Sequence, residues 1–224
     1  MGRKSVAQRD LVHTLLSQKT YPELLGLDVR NPEDWFPWFV AASLFAKPIS
    51  AVAARTTAQL LVKEGIRSPA AIERCGWDGL VTILDLGGYV RYDFSTATKL
   101  LAIAAALPSD QLRHLVTAAS SAEDVEAQLT KFQGIGPKTV AIFLRELRGV
   151  GGPSVAMSQE AKDATRKLGL KLAKLDLVGG GLSRLESVLV RVWIEHCKRG
   201  RWQTCPAGAM CGCAPASRVS TAVP

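Results

Sequence analysis

The stretch SAEDVEAQLTKFQGIGPKTVAIFLRELR, Ser121 to Arg148, spells two helices around a tight turn. Ser121 with Asp124 three residues on has the spacing of a helix-starting capping box. Val125, Leu129 and Phe132 then fall on one helical face. The turn is Gly134-Ile135-Gly136. Its glycines allow positive φ and let another molecule approach the backbone closely. Pro137 suits the first position of the next helix, where no N–H is needed. That helix buries Val140, Phe143, Leu144 and Leu147, with Arg145, Glu146 and Arg148 expected to face away. The N–H groups at such a turn favour an anion, and Lys138 adds a full positive charge beside them. The plainer reading is an αα-hairpin that only packs.

Around this hairpin the helical period continues. Residues 5–18 carry apolar positions at Val6, Leu11, Leu15 and Leu16. Residues 19–34, with Pro22, Gly26 and Pro32, read as a connection. Trp35 to Phe45 is dense in aromatic and aliphatic residues and reads as a buried helix, which places Trp35 and Trp38 in the core. Helices are expected over about 50–64, from Pro69, over 80–86, over 95–107 and over 110–118, making five or six short helices before the hairpin. After it, Gly149 to Pro153 reads as a flexible link. A basic helix covers 159–168, and a strong apolar helix over 182–197 buries Leu185, Val188, Leu189 and Val192. Strand signals are weak, so the fold class is all-α.

The chain has 224 residues, enough for one or two domains. Its hydrophobic content of 47% and charged content of 21% suit a globular protein. A formal net charge of +8 suits a polyanionic partner. No secretory or membrane-spanning run is evident, and the Met-Gly start lacks a myristoylation pattern, so the default expectation is cytoplasmic. Four of the five cysteines crowd near the C-terminus, which favours a metal or cluster over scattered disulfides. Cys75, alone in the helical region, reads as a small buried residue.

With these residues assembled, the chain resembles the helix-hairpin-helix DNA glycosylase superfamily, in its endonuclease III-like branch. Phe132-Gln-Gly-Ile-Gly-Pro-Lys-Thr-Val140 looks like the family's L-P-G-V-G-x-K-T-A hairpin. The Ala-rich helix at 41–46, the Gly87-Gly88-Tyr89 loop and the C-terminal cysteines support it, so that the match runs from about Trp35 to Cys211. The resemblance implies two helical domains flanking a DNA cleft. One spans 35–148 and holds the helix-hairpin-helix motif at 121–148; the other combines 1–34 with 149–224. It implies a monomer on damaged double-stranded DNA, nucleoid-associated if bacterial, acting in base-excision repair. The base would be flipped out and its glycosidic bond cut.

The same resemblance assigns residues. Lys138 stands where bifunctional members carry the amine that attacks C1′ and allows strand cleavage, a hydrolase and lyase chemistry. Gly134, Ile135, Gly136, Lys138 and Thr139 would meet DNA. Lys47 stands at the gap left by the flipped base, and Tyr89 and Arg91 lie near a second strand-wedging position. The basic run Lys198, Arg199 and Arg201 would meet phosphate. The family's catalytic aspartate falls at Ser158, and Glu160 is the nearest carboxylate. The family's cluster motif is C-x6-C-x2-C-x5-C, and this chain has Cys197-x7-Cys205-Pro206-x4-Cys211-x1-Cys213. Those four thiols leave open a [4Fe–4S] cluster, a zinc site or a remnant of one. Two functions follow: a DNA glycosylase, with or without abasic-site lyase activity, or a non-catalytic DNA-damage or DNA-structure binding protein that has lost the aspartate.

Overall fold

The structure, a computed structural model, describes residues 2–172 and 181–208, with side chains from Gln8 onward. Among them every regular element is helical. In chain order these are α1 (Gly2–Leu16), α2 (Tyr21–Leu24), α3 (Trp35–Phe45), α4 (Ala51–Lys63), α5 (Pro69–Leu86), α6 (Asp93–Ala106), α7 (Ser109–Ala118), α8 (Ala122–Leu129), α9 (Pro137–Leu147), α10 (Gln159–Lys167) and α11 (Gly181–Glu195). No helix among the described residues is long and apolar enough to cross a membrane.

Four of these helices begin by the same device. Ser50, Ser68, Ser121 and Ser158 precede α4, α5, α8 and α10, and each hydroxyl accepts a backbone N–H from the first turn. A serine cap satisfies a donor that the helix itself cannot pair. At Ser121 the hydroxyl accepts from Asp124 at 3.1 Å, the forward half of the expected capping box. The two helices expected from Pro69 and over 80–86 both lie within α5, separated by a kink at Gly76, whose φ of 67° and ψ of 177° are not helical. Glycine adopts that positive φ without the penalty a side chain would bring, so one helix ends there and the next begins.

Contacts divide the chain into two compact units, residues 20–156 and residues 1–19 with 157–224. The break therefore falls at 19/20 and 156/157 rather than at 34/35 and 148/149. Apolar packing is the cause: Tyr21, Leu25 and Leu27 bury themselves in the core of the first unit, and Val155 packs against that core. The 20–34 segment is thus part of the bundle and includes the short α2.

At the centre of this unit is α3, buried along almost its whole length. Trp38 lies 0% exposed and donates its Nε1–H to the Phe143 carbonyl of α9 at 3.2 Å. Phe39 meets Phe143 edge-on at 5.2 Å. Trp35 is also buried and donates to the Val29 carbonyl. Both tryptophans therefore belong to the core, with their polar N–H groups satisfied, as a buried indole needs. Helix α9 is consequently held on α3 through one face.

The segment after α9 is an ordered turn, not a loose link. Gly152 and Val150 both donate to the Leu147 carbonyl, and Arg148 pairs with Gly152 in an isolated bridge. A Cβ on Gly151 would lie 2.9 Å from the Trp35 ring. Arg145 and Glu146, expected to face away, are each only 6% exposed and pair at 3.0 Å. Burying one charge alone would be costly, so two adjacent opposite charges go in together. Arg148 is half-buried and donates to the Val155 carbonyl at 2.6 Å.

The second unit packs α10 and α1 on α11. Leu185, Val188, Leu189 and Val192 are fully buried, as the helical spacing required, against Leu11, Leu15, Ala161 and Ala164. Arg184 fixes the end of α1 by donating to the Leu16 and Gln18 carbonyls.

Candidate nucleic-acid interface

The turn between α8 and α9 is built by a chain of local hydrogen bonds. Phe132 N–H donates to the Leu129 carbonyl, and Ile135 N–H to the Phe132 carbonyl. Gly134 sits between them at φ +89°. That value is glycine territory, and the space is taken as well: a Cβ there would lie 2.6 Å from Cδ of Lys99. Lys99, on α6, thus lays its aliphatic stem against the turn.

Gly136 is different. Its φ of −120° and ψ of 174° are ordinary extended values, and a Cβ would meet nothing within 4 Å. Nothing in the fold demands glycine there. It occupies the cap position of α9 and offers no side-chain acceptor. Pro137 has no N–H. The Thr139 and Val140 N–H groups turn back onto the Gly136 carbonyl. The N–H groups of Gly134, Gly136 and Lys138 have no acceptor among the described residues. The start of α9 therefore keeps open donors at the positive end of a helix, where an anion is favoured.

Lys138 and Lys99 flank this turn, and Lys47 lies within electrostatic reach of Lys99. Lys138 is exposed on the first turn of α9. Lys47 is half-buried just past the end of α3, close enough to Lys99 to feel its charge. Burial pulls the Lys47 ammonium below the usual lysine range, and the Lys99 charge pushes the same way. None of these three has an ion pair among the described residues. Lys99 went unnoticed in the sequence because it carries no motif; only the approach of α6 to residue 134 brings it in.

Several expected contacts lie inside the protein. Ile135 and Thr139 are 6% and 2% exposed, so their side chains pack. Tyr89 is 1% exposed and donates its hydroxyl to the Leu44 carbonyl at 3.0 Å. Its phenol is held well above the usual range, first by burial and then by Tyr92. Its ring cannot wedge into a strand. The loop before it lies close on α4, where a Cβ on Gly87 would come within 2.1 Å of the Thr57 hydroxyl oxygen. The neighbouring Val90 is 62% exposed, and Arg91 is exposed with its guanidinium 5.8 Å from the Tyr92 ring centre.

In the second unit Ser158 has a local role. Its hydroxyl caps α10, and its N–H donates to Oε1 of Glu186 at 2.8 Å. Glu186 is 0% exposed and is a carboxylate that sequence reading overlooked, since it sits on the apolar helix α11. Glu160 is half-exposed in the first turn of α10. Lys198, Arg199 and Arg201 are all exposed. Cys197 is half-buried, Cys205 is buried, and both pack on the core of this unit. Cys211 and Cys213 lie outside the described residues. Among the described residues no three metal-ligating side chains come together. Cys75 is half-buried, packed against the first core.

Comparison with protein-family models and with curated proteins finds no match to this chain.

Proposed function

We propose that this chain is a DNA-binding protein of base-excision repair, a divergent member of the helix-hairpin-helix DNA glycosylase superfamily. In this reading α8, the 130–136 turn and α9 form the hairpin motif, and the turn grips the phosphate backbone of duplex DNA. One observation carries it. The start of α9 keeps its donors uncapped behind Gly136, a glycine that neither φ nor packing demands, with Lys138 exposed beside it. Four other helices of the same chain close that position with serine. Open donors and a nearby ammonium together fit a phosphate oxygen better than they fit bulk packing.

The reaction proposed is removal of a damaged base from a flipped nucleotide, followed by abasic-site cleavage through a lysine amine near the turn. The second reading, a protein that binds damaged DNA without cutting it, is favoured by one observation. At the position aligned with the family aspartate, Ser158 is occupied in capping α10. Assays of base release and strand cleavage on lesion-containing duplexes separate the two. Release of a base supports the glycosylase; tight binding with no release on a broad lesion panel supports the binding protein. Salt-independent binding counts against both.

A further inference from the structure

The turn between α8 and α9 receives a side chain from outside the hairpin. Lys99 belongs to α6, where Thr96, Ala97, Leu100 and Ile103 are buried and set the root of its stem. A Cβ placed on Gly134 would stand 3.4 Å from Cβ of Lys99, 3.1 Å from Cγ and 2.6 Å from Cδ. The distance falls along the stem, so the side chain converges on the turn. The ammonium is two bonds beyond Cδ, which keeps it within about 5 Å of that point in any rotamer. The open N–H of Gly134 lies there, and those of Gly136 and Lys138 follow it.

No carboxylate takes up this charge. Lys99 is half-buried and has no ion-pair partner among the described residues. The one carboxylate on α6, Asp93, stands at its first residue and accepts the Phe94 N–H at 2.7 Å. Packing against Gly134 needs only the methylenes, which an uncharged unbranched side chain supplies as well. The ammonium is surplus to packing, and the stem delivers it beside unpaired donors.

Resting on the DNA reading above, we infer that Lys99, lent by α6 from outside the hairpin motif, is a further DNA-binding residue whose ammonium grips the same backbone phosphate as the open N–H groups of the Gly134 turn. The two kinds of donor complement each other. The N–H groups are fixed in direction, and the ammonium is a point charge on a stem that adjusts. Every sequence offers a phosphate, so the contact adds affinity and register without base preference. The bare Cα of Gly134 then has a second use, since it leaves the lane that the lysine stem occupies.

The test is duplex-DNA affinity by fluorescence anisotropy over a salt series. The proteins are the full-length wild type, Lys99→Met, Lys99→Gln, Lys99→Arg, Gly136→Val and the double variant of Lys99→Met with Gly136→Val. Methionine keeps an unbranched stem on Gly134 and removes the charge, so its thermal melt is expected to match the wild type. Its affinity is expected to fall roughly tenfold, and its plot of log affinity against log salt to become shallower by about one unit. Lys99→Gln shows the same change of slope, and Lys99→Arg restores the wild-type slope. The double variant binds no more weakly than the weaker of its two parents, because both substitutions act on one phosphate. A wild-type slope in Lys99→Met or Lys99→Gln means that the lysine only packs; it overturns the inference and leaves the DNA reading standing. Losses that add in the double variant put Lys99 on another phosphate and overturn the shared grip. Wild-type binding that ignores salt overturns the DNA reading and the inference together.

Discussion

Replacing Gly134 with alanine tests the geometry of the turn most sharply, because two separate costs fall on one atom. The backbone at φ +89° is a conformation that an L side chain adopts at a penalty of about 1–2 kcal/mol. The new Cβ would also stand 2.6 Å from Cδ and 3.1 Å from Cγ of Lys99. Lysine is flexible, so the stem swings away and gives up the burial of roughly one methylene, about 0.8 kcal/mol. Alanine returns about 0.4–1 kcal/mol by restricting the unfolded chain. The net loss is about 1–2 kcal/mol, a fall in Tm of roughly 2–8 °C for a chain of this length. Gly136→Ser is the matched control. Its backbone is already extended, the space is open, and serine is as good a cap as glycine within a few tenths of a kcal/mol. Thermal unfolding followed by circular dichroism reads both variants. If Gly134→Ala melts with the wild type, or Gly136→Ser falls as far as Gly134→Ala, the account of the turn is wrong.

Three further outcomes are expected. Tyr89→Phe removes the buried hydroxyl's bond to the Leu44 carbonyl, which still accepts the Lys47 N–H, at a cost of about 0.5–1.5 kcal/mol in a denaturant melt. It also alters alkaline behaviour. The folded phenol stays protonated while the unfolded one ionises near 10.0, so wild-type stability falls above that pH, and this component disappears in the phenylalanine variant. Lys138→Gln makes the plot of log affinity against log salt shallower by about one unit in duplex titrations, because one phosphate contact is lost. Glu186→Ala strips the Ser158 N–H of its acceptor and destabilises the second unit by about 1–3 kcal/mol, visible as faster amide exchange at the start of α10.

The elements that announced themselves in the sequence were those with strong local signals. Val140, Phe143, Leu144 and Leu147 lie on one buried face of α9, and serines and prolines mark helix starts where the residues themselves supply the caps. The apolar face of α11 was equally plain. What local pattern could not convey was depth. Tyr89 and Val90 are neighbours of similar surface plausibility, yet Tyr89 is drawn inside by a carbonyl on α3 while Val90 points out. Arg145 and Glu146 look like surface residues on a helical wheel, and their mutual charge neutralisation lets both be buried. The segment 20–34 looked like linker from its prolines and glycine, whereas Tyr21, Leu25 and Leu27 make it core. At the turn itself, Gly134 and Gly136 are indistinguishable as letters. Only coordinates separate a glycine required by φ and by Lys99 from one the fold does not require. Lys99 and Glu186 had no signal at all, since each acts through a partner distant in sequence.

The most direct measurement is duplex-DNA affinity, by fluorescence anisotropy over a series of salt concentrations, for the wild type and Gly136→Val. Valine fits the extended backbone and costs about 1 kcal/mol as a cap, so the protein stays folded. Its methyls cover the open donors at the start of α9. The wild type is expected to lose affinity steeply with salt, with a slope of about −0.9 per phosphate contacted. Gly136→Val is expected to bind more weakly by about 1.5–3 kcal/mol, roughly tenfold to a hundredfold. Wild-type binding that ignores salt, or a valine variant that binds as tightly as the wild type, would contradict the claim that this turn holds the DNA backbone.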